Sequence, residues 1–222
     1  MTLIVNASAG RAKTVSLLIG AIGLTGCVVG WIATPREFFV AFLFGHFFFL
    51  GLSLGSLGLL MIHHLTAGRW GYAVRRFLES AVGNLPLLAV LFAPIFFGLR
   101  YLYPWMNPSV VAASDALRQK QFYLNMPGFM IRTAIIFGIW ITIARLLLNW
   151  SAEQDVTVSV EPTRKMRRLS GPGLVIYPVT MTFAAVDWLM SMEPDWYSTM
   201  FPVLLCIGQV LNALALVILL LA

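Results

Sequence analysis

Residues 182–201, TFAAVDWLMSMEPDWYSTMF, read as an apolar helix that carries a carboxylate, Asp187, and stops at Glu193-Pro194. Proline has no N–H to donate and its ring clashes with the preceding turn, so the helix cannot run on through Pro194. Apolar sequence resumes near residue 200 and continues to Ala222. Two apolar helices joined by the short polar turn EPDW predict a chain that crosses a membrane, turns and crosses back.

Composition agrees. Of the 222 residues, 59% are hydrophobic and 11% charged, against about 25% charged in soluble domains, and mean hydropathy is +0.86. A span needs roughly 20 mostly apolar residues. Such runs occur near 15–34, 38–62, 83–103, 127–149, 173–192 and 200–222, which predicts an all-α, polytopic membrane protein of about six helices in one membrane domain covering 1–222. The formal charge of +6 comes from basic residues clustered between apolar runs, the pattern of membrane topology and not of nucleic-acid binding. Arg11 and Lys13, then Arg69, Arg75 and Arg76, then Arg164, Lys165, Arg167 and Arg168 fall on one side. By the positive-inside rule that side is cytoplasmic, the N-terminus with it, and EPDW faces outward. Tyr101, Tyr103, Trp105, Trp196 and Tyr197 are expected to form an outer aromatic belt. The apolar ending at Ala222 reads as one part of a longer subunit.

Ionisable groups inside a bilayer are costly and must face protein, water or a partner. Counting 1.5 Å per residue, Asp187 lies about 9 Å below the outer end of its helix, Arg132 about 9 Å and His46 about 14 Å below theirs. All three land in the outer half of the membrane. Tyr177, Thr180, Asp187 and Ser191 share one helical face, as do His46, Ser53, Ser56 and His63 on the second helix. Arg132, Thr142 and Asn149, with Arg145 adjoining, are expected to supply a third polar seam. Facing seams make a route for protons from His63 and His64 to Asp187; the bland alternative is an Arg132–Asp187 ion pair and hydroxyls that merely tie helices together. Gly51, Gly55 and Gly58, and Gly26 with Gly30, are small residues that let helices approach closely.

Other chemistry is excluded. Cys27 and Cys206 are far apart, no C-x-x-C occurs, and all three histidines lie on or just beyond the second helix, so no metal site is expected and the chain alone cannot hold a haem between facing helices. No Walker loop, H-E-x-x-H or nucleophile elbow is present, and no catalytic residue is expected.

The runs GSLGLLMIHHLTAGRWGYAVRRFLESA, LPLLAVLFAPIFFGL, QFYLNMPGFMIRTAIIFGIWITIARLLLNWSAEQD and RRLSGPGLVIYPVTMTFAAVDWLMSMEPDWYSTMF resemble the ActF membrane subunits of bacterial alternative complex III, which belong with the NrfD-like, polysulfide-reductase-like membrane subunits. The resemblance covers about Gly51 to Asn212. It implies a non-redox subunit of a quinol:cytochrome c, or other acceptor, oxidoreductase in the bacterial inner membrane. The helices over 38–192 would form a four-helix bundle and 200–222 would begin a second. Iron–sulfur clusters and haem c would sit in partner subunits, beside a related ActC membrane subunit and a terminal oxidase. It also implies a buried polar path at His46, Arg132, Asp187, Tyr177, Thr180 and Arg145. Four roles compete: proton conduction with Asp187 as carrier; a structural scaffold whose Glu193 and Asp195 dock a peripheral subunit; a quinone-binding anchor; and, less favoured without a Gly-Pro break in mid-span, a secondary transporter.

Overall fold

The computed structural model describes residues 2–68, 70–157 and 159–221, and for residues 2–13 and Tyr72 the backbone alone. Arg69 and the side chains of Arg11 and Lys13 therefore lie outside the described residues. Of what is described, 87% is helical and none is strand. The order is α1 (Thr2–Ala33), α2 (Pro35–Thr66), α3 (Trp70–Val82), α4 (Leu85–Leu91), α5 (Ala93–Leu102), α6 (Pro108–Ala113), α7 (Asp115–Lys120), α8 (Met126–Val156), α9 (Glu161–Trp188) and α10 (Phe201–Leu221). Five helices are long and apolar enough to cross a membrane, or six if the bent run over α3–α5 counts as one span. The chain is an all-α, polytopic membrane protein.

Local chemistry sets the helix ends. Pro35 starts α2, where its missing N–H goes unmissed. The α2 C-terminus closes on Ala67 at φ 51°, whose N–H bonds the His63 carbonyl. Asn125 caps α8, its Oδ1 accepting from the Gly128 N–H at 2.8 Å, and Ser114 caps α7 in the same way. At the start of α10 the Met200 carbonyl accepts from the Leu204 N–H.

Two elements differ from the sequence expectation. The third span begins at Trp70, not near 83, and is broken twice: at the Gly83–Asn84 turn ahead of Pro86, and at Phe92 ahead of Pro94, where it bends by 55°. Arg75 and Arg76 thus stand on a helix and not in a loop. Likewise α9 starts at Glu161 and runs unbroken through Gly171-Pro172-Gly173, with Pro172 and Pro178 inside it. Prolines inside a membrane helix are tolerated where neighbouring helices and hydroxyls satisfy the freed backbone groups. The carbonyls that lose their helical donor are those of Arg168 and Leu174, four residues before each proline; nearby, Ser170 Oγ donates to the Met166 carbonyl at 2.7 Å and Thr182 Oγ1 to that of Pro178 at 2.8 Å.

Helix α2 is the hub. It packs against α3, α5, α9 and α10, while α8 packs along α9, so the spans α2, α3–α5, α8 and α9 enclose one core. Phe92, Phe137, Trp140 and Trp188 fill its centre, with Phe92 and Trp188 ring centroids 4.7 Å apart. The indoles of Trp140 and Trp188 have partners: Trp140 Nε1 donates to Thr180 Oγ1 at 2.8 Å and Trp188 Nε1 to Thr133 Oγ1 at 3.0 Å. Tyr103 and Trp105 belong to this core and not to an outer belt; Tyr103 is held inside because its hydroxyl donates to the Trp188 carbonyl at 3.0 Å. Tyr101, Trp196 and Tyr197 remain exposed.

Helix α10 lies on α2 and α9. The approach depends on small residues: a Cβ at Gly55 would sit 2.0 Å from the Gln209 carbonyl oxygen, and one at Gly51 would sit 3.2 Å from the Gln209 side chain. Gln209 is buried, accepting from the Tyr177 hydroxyl at 2.5 Å. Gly26, by contrast, faces open space.

Candidate functional site

Asp187 occupies the last turn of α9 and is fully buried. Across from it, nearly two turns into α8, Arg132 sends Nε to Oδ2 at 2.7 Å and Nη2 to Oδ1 at 3.1 Å. Both carboxylate oxygens are thus held by one planar guanidinium, the geometry that makes arginine–carboxylate pairs strong and directional. The guanidinium carbon also sits 3.9 Å over the centroid of the Tyr123 ring, which adds a cation–π contact. Burial, reinforced by the Asp187 charge, pushes the Tyr123 phenol up to about 12, so at neutral pH it keeps its proton. The same corner is fixed by Ser191 Oγ, which donates to the Asp187 carbonyl at 2.5 Å, and by Tyr103 on the next carbonyl.

The two polar seams on α2 and α9 lie where their spacing predicts. His46, Ser53, Ser56 and His63 are buried on α2, and Tyr177, Thr180, Asp187 and Ser191 are buried at the α9 end of the bundle. Among the described residues no hydrogen bond runs from one side chain to another among His46, Tyr177, Thr180 and Asp187, although Thr180 Oγ1 donates to the Tyr177 backbone carbonyl at 3.0 Å. Ser53 donates to the Ala81 carbonyl at 2.8 Å, Thr180 to the Ile176 carbonyl at 2.8 Å, and Tyr177 to Gln209. His46 packs on Phe92 with ring centroids 5.4 Å apart, and Phe92 packs on Trp188. Aromatic rings, not hydroxyls, connect the imidazole to the neighbourhood of Asp187.

The third seam is corrected. Thr142, Arg145 and Asn149 are exposed on the outside of α8, and Thr142 bonds back to the Gly138 carbonyl at 2.7 Å. The buried face of α8 is instead Phe129, Thr133, Ile136, Phe137, Trp140, Ile143, Ala144, Leu147 and Ser151. Its aromatic bulk fills the core, which leaves Arg132 at the margin of that face and Arg145 outside it. Glu193 and Asp195 are exposed in the turn before α10, and Lys120 Nζ donates to the Pro194 carbonyl between them at 2.6 Å.

A second polar cluster, at the opposite end of the bundle, escaped the sequence reading. Arg75 is buried and donates from Nε to Glu79 at 2.7 Å, from Nη1 to Gln154 at 2.8 Å and from Nη2 to Ser151 at 2.5 Å. Ser151 closes the ring by donating to Glu79, and Arg76 bridges Glu79 and Asp155. The local signal was there in Arg75, Arg76 and Glu79 at helical spacing; the partners, on SAEQD at the end of α8, are more than 70 residues away in sequence. The two arginines differ in burial, and the consequence is measurable. Removing one partner of a buried pair costs about 3–5 kcal/mol, removing an exposed one typically under about 1 kcal/mol. Arg75→Met is therefore expected to lower the thermal midpoint in detergent far more than Arg76→Met, whose native side chain is 60% exposed; equal shifts would mean that the ring is not a structural clamp.

No protein-family model matches the chain, and no curated protein matches it.

Proposed function

We propose that the chain is a non-redox, load-carrying membrane subunit of a quinol:electron-acceptor oxidoreductase of the alternative complex III type, serving assembly and not proton transfer. The sequence runs that resemble ActF subunits support the complex. The scaffold role rests on the two-pronged hold of Arg132 on Asp187. A carboxylate that carries protons needs a free oxygen and an onward acceptor. Here both oxygens face one guanidinium, and the seam residues donate to backbone carbonyls or to Gln209. On this reading iron–sulfur clusters, haem c and quinol oxidation belong to partner subunits in the bacterial cytoplasmic membrane. The ends holding Arg75, Arg76, Arg164, Lys165, Arg167 and Arg168, and the N-terminus, face the cytoplasm. The EPDW turn faces outward and presents Glu193 and Asp195 to a peripheral redox subunit.

Two experiments on the intact complex test the reading. Asp187→Asn keeps the shape of the side chain, and assembled complex carrying it is expected to release the same number of protons per electron as the parent; a lower ratio makes Asp187 a carrier. Reversing both charges of the outer turn, Glu193→Lys with Asp195→Lys, is expected to reduce co-purification of the peripheral redox subunits several-fold while the chain still inserts. Full recovery of those subunits would dismiss the docking role.

A further inference from the structure

The end of the bundle that holds the Arg75, Glu79 and Ser151 ring carries more positive charge than its own acids neutralise. Those acids are all engaged: Glu79 with Arg75 and Arg76, Asp155 with Arg76, Glu161 with Arg164 at 3.9 Å and Glu153 with Lys165 at 3.8 Å. Arg145, Arg167 and Arg168 are left over. Each is exposed, and among the described residues none of them makes an ion pair or a side-chain hydrogen bond. Arg145 is the costly one. It stands in the apolar run 138–148 of α8, on a face that the core does not cover. The pairs Trp140–Thr180 and Glu153–Lys165 set the antiparallel register of α8 and α9. In that register Arg168 is roughly level with Trp150, and Arg145 lies five residues, about 8 Å of helix, deeper. A cation exposed to hydrocarbon is expensive, and arginine lowers the cost by extending its stem toward the interface. What it meets there has to be an anion, and no acid of this end is free to serve.

We propose that the C-terminal part of α8 and the N-terminal part of α9 bind an anionic phospholipid, its phosphate held by Arg145 from the membrane side and by Arg168 from the water side, with Arg167 adding to the local positive field. The guanidinium fork matches two phosphate oxygens at once, which a lysine ammonium does not. Charge selects among lipids. A zwitterionic headgroup brings its own cation and leaves the surplus of this end in place, whereas an anionic one reduces it. Depth selects lipid over an acidic segment of a soluble partner: such a segment stops at the headgroups, and Arg145 is rooted below them. The site rests on the helices crossing a bilayer and on the charges of this end, and is independent of the redox-complex reading.

Photolabelling of the full chain in its native assembly, in phosphatidylcholine nanodiscs doped with diazirine-bearing phosphatidylglycerol, tests this. Peptides of α8 and α9 are expected to be labelled saturably, with competition by unlabelled phosphatidylglycerol and none by phosphatidylethanolamine. Glycerol phosphate in solution, which offers the same phosphate without the lipid, is expected to leave the labelling in place. Labelling should fall about fivefold in Arg145→Gln and in Arg168→Gln, the effect of one cation at a membrane surface, and further in the double variant. Arg36→Gln, exposed at the opposite end, should change nothing. Should Arg145→Gln fail to assemble, Arg168→Gln decides alone. Equal competition by phosphatidylethanolamine, displacement by glycerol phosphate, or labelling that the double variant leaves unchanged overturns the site. So does labelling that appears only after the partner subunits are stripped away, which would show that a partner, and not lipid, covers these arginines.

Discussion

Asp187→Leu is expected to destabilise the bundle by about 3–5 kcal/mol, the usual cost of stranding one member of a buried ion pair. The carboxylate is fully buried and the Arg132 side chain is 21% exposed, so the guanidinium left behind has little water to turn to. The Tyr123 ring retains a cation–π contact, worth about 0.5–2 kcal/mol, and offsets only part of the loss. Two further variants separate charge from shape. Removing both ends, Arg132→Met with Asp187→Leu, is expected to recover most of the stability, because no charge is left unpaired. Exchanging them, Arg132→Asp with Asp187→Arg, is expected to recover less, since the Tyr123 ring and the Asn125 cap stand beside the arginine on α8. The measurement is the unfolding midpoint in mixed detergent for the four chains. Recovery in the double apolar variant identifies the pair as a clamp between α8 and α9. If the double variant is as unstable as Asp187→Leu alone, the carboxylate's other contact, the Tyr123 hydroxyl, and not Arg132 carries the stability.

That pair was legible in the sequence because an ionisable residue stands out in apolar surroundings, and depth along a helix follows from counting. The seams on α2 and α9 were legible for a related reason: hydroxyls and histidines at helical spacing fall on one face whatever they bond to. What they bond to was not legible. Thr180 meets Trp140 forty residues away, and Tyr177 meets Gln209 on α10, pairings that depend on how helices rotate against each other. Rotation also explains α8, where the bulk of Phe137 and Trp140 claims the core and turns Thr142, Arg145 and Asn149 outward. The third span was misplaced because Arg75, Arg76 and Glu79 have the charge density of a loop. Only Ser151, Gln154 and Asp155 on α8 make that charge tolerable in a helix, and local composition carries no trace of them. Tyr103 and Trp105 illustrate the same limit: belt and core aromatics have one composition and differ in what lies opposite.

Gly55→Leu is expected to detach α10 from the bundle. The first added atom alone would stand 2.0 Å from the Gln209 carbonyl oxygen and 2.5 Å from its carbon. Both are helix backbone, so no side-chain rotation relieves the overlap and one helix must move away. Displacement would also break the Tyr177–Gln209 hydrogen bond and leave a buried amide unpaired, a loss of about 1–3 kcal/mol in its own right. In membrane proteins helix association relies on close packing, because lipid is as apolar as the side chains it replaces; a separation of a few ångströms therefore removes most of what holds α10. The check is a disulfide. A Cβ at Gly58 lies 3.9 Å from the Val210 side chain, so Gly58→Cys with Val210→Cys should cross-link readily in the parent chain. Adding Gly55→Leu should abolish the cross-link, whereas Gly26→Leu, at a position facing open space, should leave it intact. Cross-linking that survives Gly55→Leu would show that α10 is held by its contacts with α9 and not by its seat on α2.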